Sequence, residues 1–178
     1  YTATRLTQDK PIILVMGGGS GSAVLNRVVR EALQDLLINY QIIHICGAGN
    51  LDEPIKLEGY KQYEYVSDEL PHLFAITDLV VSRAGSNTVN ELLALGKPHV
   101  LIPLSIKASR GDQIANAHYT QQQGLSAAIV EESLTPARLV TAINELKTHQ
   151  EAYISKMAAY NAVSGTEQVF AVIQGVLA

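Results

Sequence analysis

Cysteine is almost missing from this 178-residue chain. Cys46 stands alone, so no internal disulfide can form and a cysteine-built zinc site lacks its ligands. Basic charge is also scarce. Thirteen Lys and Arg against seventeen Asp and Glu give a net charge of −4, without the cationic stripe of a nucleic-acid binder. No run of about eighteen apolar residues occurs, so no membrane-spanning helix is expected, although 47% of the residues are hydrophobic. The histidines (His44, His72, His99, His118 and His149) show no metal spacing with one another or with Cys46. His44 and His99 fall inside apolar runs and read as core residues with a hydrogen-bond partner. The first ten residues are polar and mixed rather than a signal peptide, which points to a reducing, cytoplasmic setting. An initiator Met is lacking too. The chain therefore reads as beginning inside a longer protein, with residues 1–10 as a linker remnant and residues 11–178 as one domain.

What is present is alternation. Residues 11–16 (PIILVM), 41–46 (QIIHIC), 63–66, 79–82, 98–104 and 126–130 read as short strands bounded by glycine or polar residues. Residues 23–37, 71–76, 88–95 and 111–123 carry apolar residues at helical spacing. The remainder from Thr135 reads as helix with a break near Ser164-Gly165. Such alternation implies right-handed crossovers and an α/β class: a Rossmann-like open parallel sheet of about six strands with helices on both faces. Ligands of such sheets bind beyond the carboxyl ends of the strands. Four polar or glycine-rich segments fall there: residues 17–22, 67–70, 83–91 and 105–116.

The first follows a strand and opens a helix. Gly18, Gly19 and Ser20 allow close backbone approach, and amides at a helix start attract phosphate. No Gly-Lys-Ser/Thr follows, so it is not a P-loop. No acid about 20 residues on completes a dinucleotide fingerprint. A plain strand-to-helix turn is the rival. In the second stretch, Arg83-Ala84-Gly85-Ser86-Asn87-Thr88-Val89-Asn90-Glu91, the amides can take a diphosphate and Glu91 can accept two ribose hydroxyls. Equally, Thr88-x-x-Glu91 is a capping box, in which the carboxylate only satisfies its own helix. In the third, Asp112, Gln113 and Asn116 open a helix. Gln113 and Asn116 share one face and both donate and accept, which suits sugar hydroxyls; a solvated helix start is the alternative. Ser20 and Ser86 lack a nucleophile elbow, and no carboxylate pair suggests glycoside hydrolysis.

Together the stretches VMGGGSGS with Asn26, YEYVSDEL, DLVVSRAGSNTVNELLALGKP, LIPL and GDQIANA resemble the C-terminal domain of the MurG family, the lipid I N-acetylglucosaminyltransferases. The resemblance covers nearly the whole chain. It implies the C-terminal half of a two-domain, GT-B type inverting glycosyltransferase. That half holds UDP-GlcNAc as substrate, with no separate cofactor and no metal. By resemblance, Gly18, Gly19 and Ser20 lie beside the diphosphate, and Tyr65 and Val66 pack the uracil. Arg83, Gly85, Ser86, Asn87 and Thr88 form the phosphate-binding helix start, and Glu91 meets the ribose. Asp112, Gln113 and Asn116 then meet the GlcNAc. Gly19-Ser20, Asp112 and a longer loop at residues 105–110 depart from the family pattern. The glycine-rich acceptor loop and its candidate base belong to the family's N-terminal domain, so no catalytic residue is assigned here. The implied partners are that domain, its lipid-linked acceptor and, through it, the inner face of the cell membrane. Rivals are a donor subunit of a split enzyme, a UDP-sugar epimerase and a non-catalytic UDP-sugar-binding domain.

Overall fold

The computed structural model describes residues 6–52 and 54–161. Six strands alternate with helices: β1 (Ile12–Met16), α1 (Ala23–Glu31), α2 (Leu33–Asn39), β2 (Gln41–Ile45), β3 (Tyr60–Tyr63), α3 (Leu70–Ile76), β4 (Leu79–Ser82), α4 (Ser86–Ala94), β5 (His99–Leu101), α5 (Asp112–Gln122), β6 (Ala127–Ala128), a short 3-10 turn (Glu131–Ser133), α6 (Pro136–Thr148) and α7 (Gln150–Asn161). All strand pairs are parallel, in the order β3-β2-β1-β4-β5-β6. The chain leaves β1 toward β2 on one side and β4 toward β5 on the other. The loops after β1 and β4 therefore diverge, which opens a crevice at the carboxyl ends of the central strands.

The pleat sorts the core. Ile13, Val15, Leu79, Val81 and Val100 face α1, α2 and α6. Ile12, Leu14, Ile43, Ile45 and Val80 face Leu73 and Phe74 of α3 and Leu92 of α4. A third group joins Val89 and Leu93 of α4 to Ala117 of α5 and Met157 of α7. The central strands are buried on both faces, which is why they read as continuous apolar runs.

Several boundaries differ from the sequence reading. The third strand is Tyr60–Tyr63, not residues 63–66, because β2 sets its register. Ile42 pairs with Tyr60, and Ile45 with Tyr63. Gly59, at φ 79°, turns the chain into that register. The helix expected over residues 23–37 divides at Ala32. The Ala32 N–H is shared between the carbonyls of Val28 (3.0 Å) and Val29 (3.1 Å), a local 3-10 tightening with no Pro or Gly to announce it. The C-terminal helical region breaks at His149; the break expected near Ser164-Gly165 lies outside the described residues. From Leu6 onward the first residues are docked on the domain. Leu6 is 6% exposed and packs with Ile12 and Leu14. The buried Gln41 amide accepts from the Thr7 N–H at 2.9 Å and donates to the Thr7 and Lys10 carbonyls at 3.0 Å each. A buried amide without partners costs free energy, so these contacts seat the segment on the domain.

Candidate functional site

A cleft of about 430 Å³ occupies the crevice. One wall is the β1–α1 loop, residues 17–21; another is Ser82, Arg83 and Gly85 at the end of β4. Thr88 and Glu91 of α4, Tyr65, Val66 and Leu70 after β3, and Leu104 with Gln113 complete it. The structure thus gathers Gly18, Gly19, Ser20, Tyr65, Val66, Arg83, Gly85, Thr88, Glu91 and Gln113. Ser86, Asn87, Asp112 and Asn116 stand outside the lining. A larger hollow of about 740 Å³ lies at the β3 edge beside Leu6 and Ile55. It touches none of the strand-to-helix junctions where free amides collect.

The start of α4 bears on the capping reading of Glu91. Its N-cap is Gly85, which offers no side chain, and Ser86 is the first helical residue. Thr88 is therefore the third residue of the helix and Glu91 the sixth, so no capping box forms. Among the described residues, the amides of Ser86, Asn87 and Thr88 have no hydrogen-bond partner and the Glu91 carboxylate has neither hydrogen bond nor ion pair. Three open N–H groups at a helix start carry partial positive charge toward an anion. One turn on, Glu91 faces the same cleft as Thr88. By contrast, α1 is already capped: Ser22 Oγ accepts from the Leu25 N–H at 3.2 Å.

The glycine-rich loop rests on the loop after β2. Gly21 lies at φ 75°, and a Cβ there would meet the Cys46 carbonyl oxygen. Asn26, buried in α1, donates to that same carbonyl at 2.9 Å and contacts His44 Nε2 at 3.0 Å. His44 Nδ1 contacts the Tyr60 hydroxyl at 2.9 Å. Burial, and secondarily the charge of Arg30, pull the His44 pKa down to about 3, so the ring is neutral. Burial likewise lowers that of His99, whose Nδ1 meets the Lys97 carbonyl at 2.7 Å. Gly18, at φ 86°, has nothing within 4 Å of a would-be Cβ and opens onto the cleft.

Arg83 behaves differently from its expected role as a ligand. It lines the cleft, but its guanidinium is spent on the protein. Nη1 donates to the carbonyls of Ile102 (3.1 Å) and Pro103 (3.4 Å); Nη2 donates to Ser22 Oγ (2.6 Å) and to Glu131 (2.7 Å). Only Nε is left without a partner. The two amides of α5 are oriented in opposite senses. Gln113 Oε1 accepts from the Leu104 N–H at 3.1 Å, which leaves its NH₂ to donate. Asn116 Nδ2 donates to the Ala84 carbonyl at 2.9 Å, which leaves its oxygen to accept. Asp112 is exposed at the first turn of α5.

Ile45 and Met16, which the sequence does not single out, join Leu70 to give the cleft an apolar side near the exposed Tyr65. The contacts of Arg83 with Glu131 and Ser22 cross from one strand end to another and leave no local pattern.

Residues 12–170 match the glycosyltransferase family 28 C-terminal domain. The chain belongs to that family. Among relatives, it is 45% identical over 172 residues to the UDP-N-acetylglucosamine--N-acetylmuramyl-(pentapeptide) pyrophosphoryl-undecaprenol N-acetylglucosamine transferase 3 of Bacillus cereus, covering 96% of this chain and 49% of that protein. It is 49% identical over 166 residues to the enzyme of the same name, without a number, from Clostridium novyi, covering 93% and 46%. The chain thus spans about half the length of the curated relatives it matches. The family 28 fold is shared with Acinetobacter baumannii MurG, at a TM-score of 0.73 and 22% identity, over 98% of this chain and 52% of that one. It is also shared with the glycosyltransferase VinC, solved with dTDP, at 0.69 and 19%, over 98% and 43%. Among the described residues of this family 28 domain, no helix is long and apolar enough to cross a membrane, and no group of three or more His, Cys, Asp or Glu could hold a metal ion.

Proposed function

We propose that the chain is the donor-binding half of an inverting glycosyltransferase that moves GlcNAc from UDP-GlcNAc to undecaprenyl-diphospho-muramoylpentapeptide, the lipid I to lipid II step of peptidoglycan synthesis. One observation carries the reading: α4 starts with three unclaimed amides, of which Thr88 lines the cleft and Ser86 and Asn87 stand beside it, and its next turn presents an unclaimed carboxylate to that cleft. The names of the Bacillus and Clostridium relatives supply the sugar and the acceptor.

In this reading the uracil lies against Tyr65, Val66 and Ile45, and Glu91 accepts from the ribose hydroxyls. The diphosphate sits between Gly18-Gly19 and the amides of Ser86, Asn87 and Thr88. The GlcNAc hydroxyls reach the Gln113 NH₂ group as acceptors and the Asn116 oxygen as donors. As the glycosidic bond to UDP breaks, negative charge grows on the β-phosphate, and preorganised amide dipoles stabilise it without reorganising. No cofactor or metal enters this scheme. The acceptor hydroxyl and the base that takes its proton come from the other half of the enzyme, together with contact to the inner face of the cell membrane.

Calorimetry of this chain with UDP and UDP-GlcNAc tests the reading. Saturable binding of both is expected, with UDP-GlcNAc distinguished from UDP-glucose. No saturable heat with either uridine ligand defeats it.

A further inference from the structure

We infer that Arg83 and Glu131 form a positioning pair that fixes the spacing of the two walls of the cleft; the inference rests on the cleft being the nucleotide-sugar site. Arg83 ends β4. Its guanidinium reaches Ser22, at the foot of the glycine-rich loop after β1, and the carbonyls of Ile102 and Pro103 leaving β5. Its charge is met by Glu131 Oε1, and Glu131 Oε2 accepts from the Ser105 N–H at 3.1 Å. One ion pair therefore ties the ends of β1, β4 and β5 to the turn after β6. The carboxyl of the exposed Glu132, next in that turn, is held below the usual range first by its own backbone N–H, then by the Ser105 hydroxyl and, more weakly, by Lys107.

The arrangement is poorly explained as a device for stability. The two side chains are only 9% and 13% exposed, and an ion pair so far out of water gains little net stability over apolar residues of the same size. What it supplies is direction. A planar guanidinium with forked donors fixes three acceptors at set angles, which a lysine cannot do. The acceptors it fixes belong to loops on opposite sides of the cleft, and Gln113 ties the second of them to α5 through Leu104. Glu131 itself does not line the cleft, so any effect it has on a ligand passes through Arg83 and Ser105.

The test compares Glu131→Gln, Glu131→Asp, Arg83→Lys and the double variant Glu131→Gln/Arg83→Lys with the unaltered chain. UDP affinity is read by calorimetry, thermal melting by circular dichroism, and amide hydrogen exchange without nucleotide. Folded Glu131→Gln should bind UDP about tenfold more weakly, and the double variant no more weakly than Arg83→Lys alone. Exchange at Ser105 should rise about tenfold, with a parallel rise at residues 18–21, which Glu131 does not touch. A folded Glu131→Gln with UDP affinity within twofold and quiet exchange at residues 18–21 overturns the inference. Loss of folding in both Glu131 variants also overturns it, by assigning the pair to the fold alone. If the unaltered chain does not bind UDP, the functional reading fails by itself, and the exchange data still judge the coupling.

Discussion

Glu91 stands one helical turn beyond Thr88 on the cleft side of α4, and neither caps the helix, because the helix begins at Gly85-Ser86. A carboxylate in that place, without a protein partner, is free for a ligand. Glu91→Ala should weaken UDP binding at least about tenfold, the worth of a hydrogen bond to a charged group. The melting temperature should move by no more than about 2 °C, as for a surface change away from any cap. Calorimetry and a thermal melt on one preparation check both halves. Unchanged affinity returns Glu91 to the solvated face.

Gly21 and Gly18 share a positive φ and differ in surroundings. Gly21→Ala drives a methyl into the Cys46 carbonyl at a positive φ, so it should cost roughly 3 kcal/mol or more, read by urea denaturation. Gly18→Ala places its methyl in open space. It should cost only about 1–2 kcal/mol of backbone strain and show its effect as weaker UDP binding. Equal stability losses at the two positions contradict this division.

The buried His44 makes stability depend on pH. Its pKa falls from 6.5 unfolded to about 3 folded, so the unfolded chain binds the extra proton. Stability is full above about pH 6.5 and is lost as pH falls toward 3, by up to about 1.4 kcal/mol per pH unit. His99 shifts in the same direction. Melting temperature should therefore drop between pH 6.5 and 5, before most carboxylates titrate. His44→Gln should give a shallower slope; an unchanged slope removes His44 as the cause.

Leu6 is docked rather than trailing. Leu6→Ala should destabilise the domain by roughly 2–4 kcal/mol, the usual loss for a buried leucine. A urea midpoint equal to that of the unaltered chain shows the segment to be a free linker after all.

Much of the fold was legible locally. The buried runs of β1 and β4 are apolar because both faces of a central parallel strand are covered, and the glycines after them mark the loops that form the cleft. Alternation alone then gives the layers. At the site, small residues before a helix marked where the open amides of α4 lie, but could not say whether Glu91 caps that helix. That depended on which residue begins the helix.

Other features needed the assembled molecule. The register of β3 comes from Ile42 and Ile45 on a neighbouring strand. The Arg83 contacts with Ser22 and Glu131 span 61 and 48 residues of sequence, and Gln41 holds Thr7 from 34 residues away. Hydrophobic periodicity reports how a segment meets its own helix or strand. Hydrogen bonds between distant polar groups report where the finished sheet brings the strand ends, and no local pattern encodes that distance.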